Sequence, residues 1–263
     1  MEVLGREGHT VKGISLRGEV NSSQLAGMTA VVHLAGEPVA QRWTKEVRRK
    51  ILESRREGTR KLVKALQPNP PNVLVSASAV GYYGDRGDEI LTEQSPPGTG
   101  FLCDVAKTWE EEALKAGDFG VRIARLRIGM VLGPGGGSLK KMVLPFKLGL
   151  GARLGNGRQW VSWIHRDDVV SLISFVIREK TLRGALNATS PNPVTNGEFT
   201  KALAKTLHRP AIFTAPPFAL RLLYGDMAKV ILESQRAVPE ATLASGFEFQ
   251  YPDLQGALLE ILG

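Results

Sequence analysis

Short apolar runs rich in β-branched residues alternate along the chain with longer stretches whose apolar residues recur near the helical period. Runs of this kind, apolar at successive positions, are typical of strands buried on both faces of a parallel sheet. The pattern predicts strands at residues 11–15, 30–34, 73–76, 121–126 and 186–188, and helices at residues 44–67 and 102–116. This alternation predicts an α/β fold with an open, doubly wound parallel sheet.

The rhythm changes after the glycine-rich run at residues 133–137. The pattern there predicts a helix or an irregular segment at 139–148 and a strand at 159–164. Helices follow from about 167, from a cap at Thr195 or Asn196, over 216–238 and at 251–262. Because Asp167 and Asp168 carry carboxylates, they suit the first turn of the helix that begins there.

Small or polar residues follow several predicted strands, including Ser15, Ala35, Gly36, Ser76 and Gly129. Open α/β sheets bind ligands at the carboxyl ends of their strands. Small residues at these ends allow a flat ligand to approach the backbone. The sequence therefore predicts a ligand site at this edge of the sheet.

Composition excludes several classes of protein. Hydrophobic residues make up 43% of the 263 residues, and no apolar run approaches the ~20 residues that span a bilayer. Cys103 is the single cysteine, which excludes an internal disulfide framework and suits a reducing, cytoplasmic setting. The four histidines lack metal-ligand spacing, so we predict no metal site.

The net charge of +8 raises the question of an anionic partner. Basic residues concentrate at 45–61, where glutamates interrupt them at spacings that allow ion pairs along one helix. The chain lacks zinc-finger, RNA-recognition and helix-turn-helix signatures. We therefore predict a solvated helix face there and no nucleic-acid partner, with binding through this helix kept as the weaker alternative.

Five runs, taken in order, carry a family resemblance. They are VVHLAG (31–36), VSASAVGYYG (75–84), TEQSPP (92–97), LRIGMVLGPG (126–135) and WIHRDDV (163–169). In this order, the five runs resemble the motifs of the extended short-chain dehydrogenases/reductases. Further runs at 142–151, 235–239 and 243–247 resemble one atypical branch, the epimerase family proteins, which are like NAD-dependent nucleoside-diphosphate-sugar epimerases and are also described as cell-division-inhibitor-like.

The resemblance implies a Rossmann-like sheet and two lobes. Residues 1–148, with 165–190 returning to them, would form the NAD(P)-binding domain. Residues 149–164 and 191–263 would form a small C-terminal α/β substrate lobe. The family opens with a strand, a G-x-x-G-x-x-G loop and a helix, whereas residues 1–11 resemble the end of that helix running into strand two. We therefore expect about 20 residues, including the phosphate-binding loop, to be missing.

The family's catalytic residues are a Ser, a Tyr and a Lys. The resemblance assigns Ser78 to polarise a substrate oxygen and Lys107 to hold the nicotinamide ribose. Cys103 occupies the tyrosine position, and a thiol suits acid–base work less well than a lysine-assisted phenol. Tyr82, or its neighbour Tyr83, is the candidate replacement acid, with aromatic packing as the alternative.

The resemblance also implies a cofactor site and its preference. Strand two ends without an acidic residue, and Ser15 and Arg17 suit a 2′-phosphate, so NADP is favoured over NAD, with a plain surface arginine as the alternative. The other residues assigned to the cofactor are Leu34, Ala35, Gly36, Arg55, Ser76, Lys107, Arg127, Gly129, Met130 and Val131. For Arg127, a structural ion pair is an equal alternative, because an unpaired buried arginine is costly. His165 and Asp168 resemble the family's structural helix start, so we assign them to architecture.

Two functions follow from these residues. The first is an NADP-binding epimerase or oxidoreductase acting on a nucleotide sugar or a small carbonyl compound. The alternative is a dinucleotide-binding sensor or interaction protein without turnover, which the loss of the tyrosine favours. Either protein would be a monomer or homodimer whose partners are the cofactor and a small molecule, not nucleic acid or membrane.

Overall fold

A computed structural model describes residues 2–263 of the chain. The helices are α1 (Glu2–Arg6), α2 (Ser22–Leu25), α3 (Lys45–Leu66), α4 (Phe101–Leu114), α5 (Gly137–Lys147), α6 (Arg166–Arg178), α7 (Asn196–Thr206), α8 (Pro217–Tyr224), α9 (Met227–Leu232), α10 (Glu240–Ala244) and α11 (Leu254–Leu262). The strands are β1 (Ala30–His33), β2 (Val73–Ala79), β3 (Ile90–Leu91), β4 (Arg122–Ile128), β5 (Met130–Leu132), β6 (Ala152–Leu154), β7 (Trp160–Val161), β8 (Trp163–His165), β9 (Gly184–Ala188), β10 (Val194–Thr195), β11 (Phe213–Ala215) and β12 (Arg236–Ala237). Short 3-10 helices follow β2 and α4.

The main sheet contains four parallel strands in the order β1-β2-β4-β9. One face packs Leu74 against Leu62 and Leu66 of α3, and the other packs Val75 against Leu172 of α6. Helices thus cover both faces of the sheet. Neighbouring residues such as Leu74 and Val75 contact different helices, because successive side chains of a strand point to opposite faces. This arrangement confirms the predicted α/β fold with a Rossmann-like parallel sheet.

The predicted strand at residues 11–15 is wrong. In the described chain, residues 9–15 form neither helix nor strand. Their β-branched residues favour an extended backbone, but a strand also needs a neighbour for its N–H and C=O groups. Ile14 and Leu16 instead pack against the core beneath α3.

The single helix predicted over residues 216–238 is also wrong. The segment contains α8, α9 and the short strand β12. Gly225 ends α8 with a φ of +60°, a conformation that glycine adopts without steric cost and that interrupts the helical hydrogen bonds. The apolar periodicity continues across this break, which is why the sequence pattern missed it.

A second core lies beyond the main sheet. It joins α7 and α11, where Phe199, Leu203 and Leu258 pack around Trp163. Leu132, Leu139 and Phe146 contribute to the same core, so side chains on both sides of residue 148 share it. The division into two lobes stays a prediction. Among residues 2–263, no helix is both long and apolar enough to cross a membrane.

Gly129 connects the two cores, because it joins β4 to β5 and donates its N–H to the Ala188 carbonyl at 3.1 Å. A Cβ at this position would lie 2.5 Å from the Ser162 carbonyl oxygen. We predict that Gly129→Ala lowers the free energy of unfolding by about 1–3 kcal/mol in urea denaturation, because backbone must move. Gly18→Ala, where a Cβ meets nothing within 4 Å, is the matched control. Equal stability of the two variants would contradict this packing.

Candidate functional site

A groove of about 590 Å³ lies beyond the carboxyl end of β1, between residues 14–17 and α3. Five residues that the sequence analysis assigns to the cofactor line it together: Ser15, Arg17, Leu34, Ala35 and Gly36. Lys50 and Lys61 of α3 line the same groove, as do Glu53 and Glu57. The structure therefore brings the predicted adenosine-side residues into one concave surface with several cations.

Leu34 and Gly36 shape this groove differently. The Leu34 side chain is 54% exposed, which presents apolar surface to the groove. At Gly36, a Cβ would lie 2.9 Å from Cζ of Arg55. The small size of Gly36 thus leaves space for the Arg55 guanidinium as well as for a ligand.

Arg55 is a buried cation at the end of this groove. Its guanidinium donates to the carbonyl oxygens of Glu37 at 3.0 Å and Ile51 at 3.1 Å and lies 4.8 Å from the Trp109 ring centroid. Burial lowers the pKa of Arg55 to about 10, although the nearby Glu37 opposes this change. Arg55 therefore remains charged at neutral pH, and a cofactor role for it stays a prediction.

His33 lies behind Arg55 in the core. Its Nε2 lies 2.9 Å from the Thr59 hydroxyl, and its ring contacts Trp109 edge to face. Burial, with a contribution from the charge of Arg55, lowers the pKa of His33 to about 4. The imidazole is therefore neutral at physiological pH and belongs to the packing beneath the groove.

Ser78 belongs to a buried ionic network that the sequence analysis did not identify. Its hydroxyl donates to Oε1 of Glu110 at 2.7 Å. The same carboxylate accepts from Nε of Arg127 at 2.9 Å and from Nη1 of Arg125 at 2.7 Å. Glu110, Ser78 and Arg127 are each about 3% exposed. The hydroxyl proton of Ser78 thus points to a carboxylate of the protein, while the oxygen keeps its lone pairs.

Arg127 extends this network towards β9. Its Nη1 donates to the Tyr83 hydroxyl at 3.0 Å, and that hydroxyl donates to Oδ1 of Asn187 at 2.7 Å. Burial opposes the charge of Arg127, but Glu110 more than offsets it and raises the guanidinium pKa. The guanidinium also lies 3.5 Å from the Tyr82 ring centroid. Arg127 therefore forms a structural ion pair, and the Tyr82 ring packs against it.

Cys103 and Lys107 lie one turn apart on α4, on the helix face that also carries Glu110. The Cys103 thiol donates to the Gly98 carbonyl at 3.0 Å. Burial raises its pKa, Asp104 adds to the rise, and Lys107 partly offsets it. The thiol is therefore protonated at neutral pH. Lys107 is half-buried, and its role towards a ribose stays a prediction.

The other predicted cofactor residues are not part of the groove lining. Ser76 is buried in β2, where its hydroxyl contacts the Ala77 carbonyl at 3.3 Å. Met130 packs against the second core and Val131 against the main core. Ser76 pairs with His33 at the end of β1, next to the groove, and a cofactor role for these residues stays a prediction.

His165 and Asp168 are structural, as the sequence analysis predicts. The His165 Nδ1 accepts the Asp167 N–H at 3.2 Å and caps α6, so Nε2 carries the proton towards Glu260 at 2.9 Å. Asp168 accepts backbone N–H groups of Gln250 and Tyr251 at 2.7 and 3.0 Å. These contacts fix the C-terminal segment to α6.

Sequence reasoning missed the central role of Glu110. The sequence contained a sign of this role, because Glu110 lies with the apolar residues Trp109 and Ala113 on the buried side of α4. A carboxylate on a buried helix face requires a cation, and β4 supplies Arg125 and Arg127 opposite it.

Open parallel α/β sheets bind ligands beyond the carboxyl ends of their strands, as dinucleotide-binding proteins of the Rossmann class do, and the groove lies at that position. The chain matches the model of the NAD dependent epimerase/dehydratase family over residues 14–188. It also matches a domain of unknown function over residues 215–261. The chain therefore belongs to the NAD dependent epimerase/dehydratase family, which confirms the predicted resemblance.

Three similar proteins illustrate the relationship. The epimerase family protein SDR39U1 homolog, chloroplastic, of Arabidopsis thaliana is 44% identical over 90% of this chain and 69% of its own. Human epimerase family protein SDR39U1 (isoform 2), crystallised with NADPH, superimposes with a TM-score of 0.92 at 33% identity, covering 99% of this chain and 93% of that one. The nucleoside-diphosphate sugar epimerase from Corynebacterium glutamicum has a TM-score of 0.76 at 36% identity, covering 92% of this chain and 48% of that one.

The lowered pKa of His33 predicts a pH-dependent stability. Between pH 6.5 and about 4, the unfolded chain binds a proton that the folded chain does not. The stability present above pH 6.5 is therefore lost as pH falls, by up to about 3 kcal/mol. Urea denaturation at several pH values should show this loss in the wild type and a shallower slope in His33→Gln. Parallel slopes would contradict a neutral buried His33.

The Glu110 network predicts a large effect of neutralising its carboxylate. Glu110→Gln leaves the buried guanidinium of Arg127 and the partly buried one of Arg125 without their counter-ion, so we expect a loss of about 3–5 kcal/mol in the free energy of unfolding. Glu46→Gln removes the carboxylate of an exposed pair with Arg49 and should leave the urea midpoint unchanged. A Glu110→Gln variant as stable as Glu46→Gln would show that the network does not hold the fold.

Proposed function

We propose that the protein binds NADPH in the groove beyond β1 and acts as an epimerase or oxidoreductase. The observation that carries this proposal is the convergence of Ser15, Arg17 and residues 34–36 on one groove. The NADPH in the human relative supports the same cofactor. NAD is the alternative cofactor.

The lining of the groove holds three cations, Arg17, Lys50 and Lys61, beside the carboxylates of Glu37, Glu53 and Glu57, and we infer that the cations receive a 2′-phosphate. Arg17 and Lys61 line the groove together with the Ser15 hydroxyl, and cations with a hydroxyl donor suit a phosphate. The exposed Leu34 offers an apolar surface for an adenine ring. The donors suit the phosphate and the apolar surface suits the adenine, so together these residues suit a phosphorylated adenosine.

A bound nicotinamide supplies the hydride chemistry, and the protein orients the substrate. The Ser78 hydroxyl donates its hydrogen bond to Glu110, so the Ser78 oxygen would accept a hydrogen bond from a substrate hydroxyl. Lys107 would hold the ribose from the same helix face. We place the substrate among nucleotide sugars and small carbonyl compounds. A reducing compartment such as the cytoplasm suits the buried Cys103 thiol.

The second candidate function is a dinucleotide-binding sensor without turnover. Cys103 favours it, because its raised pKa and its bond to Gly98 leave the tyrosine position without a group that exchanges protons readily near neutral pH. Both functions require the cofactor, and only the enzyme also carries out a chemical step. Either protein would act as a monomer or as a homodimer.

Fluorescence titration with NADPH and NADH tests the cofactor. We predict that Arg17→Ala with Lys61→Ala weakens NADPH binding about tenfold to a hundredfold, because charge-assisted bonds to phosphate are lost. NADH binding should change little. Arg166→Ala, which removes an exposed cation paired with Asp167, is the control. Equal losses for both nucleotides, or a wild type that binds neither, would contradict the proposal.

Turnover separates the enzyme from the sensor. NADPH oxidation should be measured against a panel of carbonyl compounds, and epimerisation against nucleotide sugars. The enzyme proposal predicts turnover that Lys107→Met reduces at least tenfold, because the lysine no longer holds the ribose. NADPH binding without turnover across the panel would support the sensor.

A further inference from the structure

The excess positive charge of the chain lies in two segments. Lysine and arginine number 34, and aspartate and glutamate number 26. Residues 138–154 and 199–225 contain no carboxylate and contribute eight cations, which equal the whole excess: Lys140, Lys141, Lys147, Arg153, Lys201, Lys205, Arg209 and Arg221. All eight are exposed. The rest of the chain is therefore balanced in charge.

The same two segments expose unusual apolar surface. They hold nine of the fourteen large apolar side chains that are exposed in the described chain: Leu144, Leu148, Leu150, Ile212, Phe213, Phe218, Leu222, Leu223 and Tyr224. Leu222 is 80% exposed and Ile212 is 79% exposed. Concentrated apolar exposure of this kind marks a surface that contacts another phase or molecule.

The fold joins the two segments. Strands β6 and β11 pair in parallel, with Ala152 opposite Phe213. Helix α5 leads into β6, and α8 follows β11. Helix α8 buries Leu220 and leaves Phe218, Leu222 and Leu223 exposed. We call the exposed side chains of residues 140–153 and 201–224 the α5–α8 surface.

We propose that the α5–α8 surface binds an anionic lipid bilayer peripherally. Exposed leucine and phenylalanine side chains insert at the boundary of the acyl chains, and surrounding lysine and arginine attract anionic headgroups. The prediction of no membrane partner rested on the lack of a spanning run. A peripheral contact does not require such a run.

Charge decides between the bilayer and a second copy of the chain. A two-fold symmetric contact would place this cationic surface against itself, and like charges in an interface are repelled. The protruding side chains, Phe218 at 74% and Leu223 at 67% exposure, suit a bilayer, which adapts to their shape. A shallow depression at the end of α7 is lined by Lys201, Lys205, His208 and Arg209, which fits phosphate headgroups.

Vesicle co-sedimentation tests this proposal. The vesicles are phosphatidylcholine alone, or phosphatidylcholine with about 30% phosphatidylglycerol. We expect binding to the anionic vesicles that is at least about tenfold stronger than to neutral ones and that weakens as salt rises. Equal binding to both vesicles, or binding to neither, overturns the proposal.

Two pairs of variants separate the apolar from the electrostatic part. Leu222→Gln with Leu223→Gln should reduce anionic-vesicle binding about tenfold, whereas Leu114→Gln, an exposed leucine of α4, should not. Lys147→Glu with Arg221→Glu should abolish the preference for anionic lipid, whereas Lys180→Glu with Arg183→Glu should preserve it. NADPH binding and the urea midpoint report that each variant is folded.

Two other occupants have distinct signatures. A concentration-dependent dimer that Leu222→Gln dissociates, with no vesicle binding, would assign the α5–α8 surface to a second copy. Salt-sensitive binding to polyglutamate without vesicle binding would assign it to an acidic protein. Each result overturns the bilayer proposal and leaves the cofactor proposal intact.

Discussion

The ion pair between Glu110 and Arg127 is the contact on which the carboxyl end of the sheet depends. It connects α4 to β4, and through Ser78 and Tyr83 it reaches β2 and the turn that follows. Charges buried this deeply destabilise a fold unless nearly every donor and acceptor has a partner. Here the carboxylate accepts from Ser78, Arg125 and Arg127. The strand ends that form the ligand edge are therefore fixed relative to one another.

A second buried cation repeats this arrangement beside β1. Arg55 and Arg127 each lie over an aromatic ring, Trp109 and Tyr82 respectively, and each donates to protein oxygens. Arg55 contacts carbonyls, whereas Arg127 contacts a carboxylate. Between them these two cations stabilise the loops that follow β1 and β2. The groove beyond β1 is thus built on a rigid base, which favours a preorganised ligand site.

Part of this architecture was predictable from the sequence. The strands at 30–33, 73–79 and 122–128 could be predicted because short runs rich in apolar residues mark them locally, although arginines interrupt the run at 122–128. Residues 11–15 have the same local pattern but lack a pairing partner in the described chain, and pairing is a non-local property. Leu34, Ala35 and Gly36 could be placed because they follow the end of β1, whereas Ser15 and Arg17 reach the same groove from a segment without a strand. The Ser78–Glu110 contact could not, since 32 residues separate its partners.

The proposed function requires that NADPH occupy the groove beyond β1. Backbone hydrogen exchange with and without NADPH tests it directly, because the groove is lined by consecutive peptide segments. Bound NADPH should slow exchange at residues 14–17, 34–37 and 50–61 and leave exchange in α7 unchanged. Protection confined to residues outside this groove, or no protection at saturating NADPH, would contradict it.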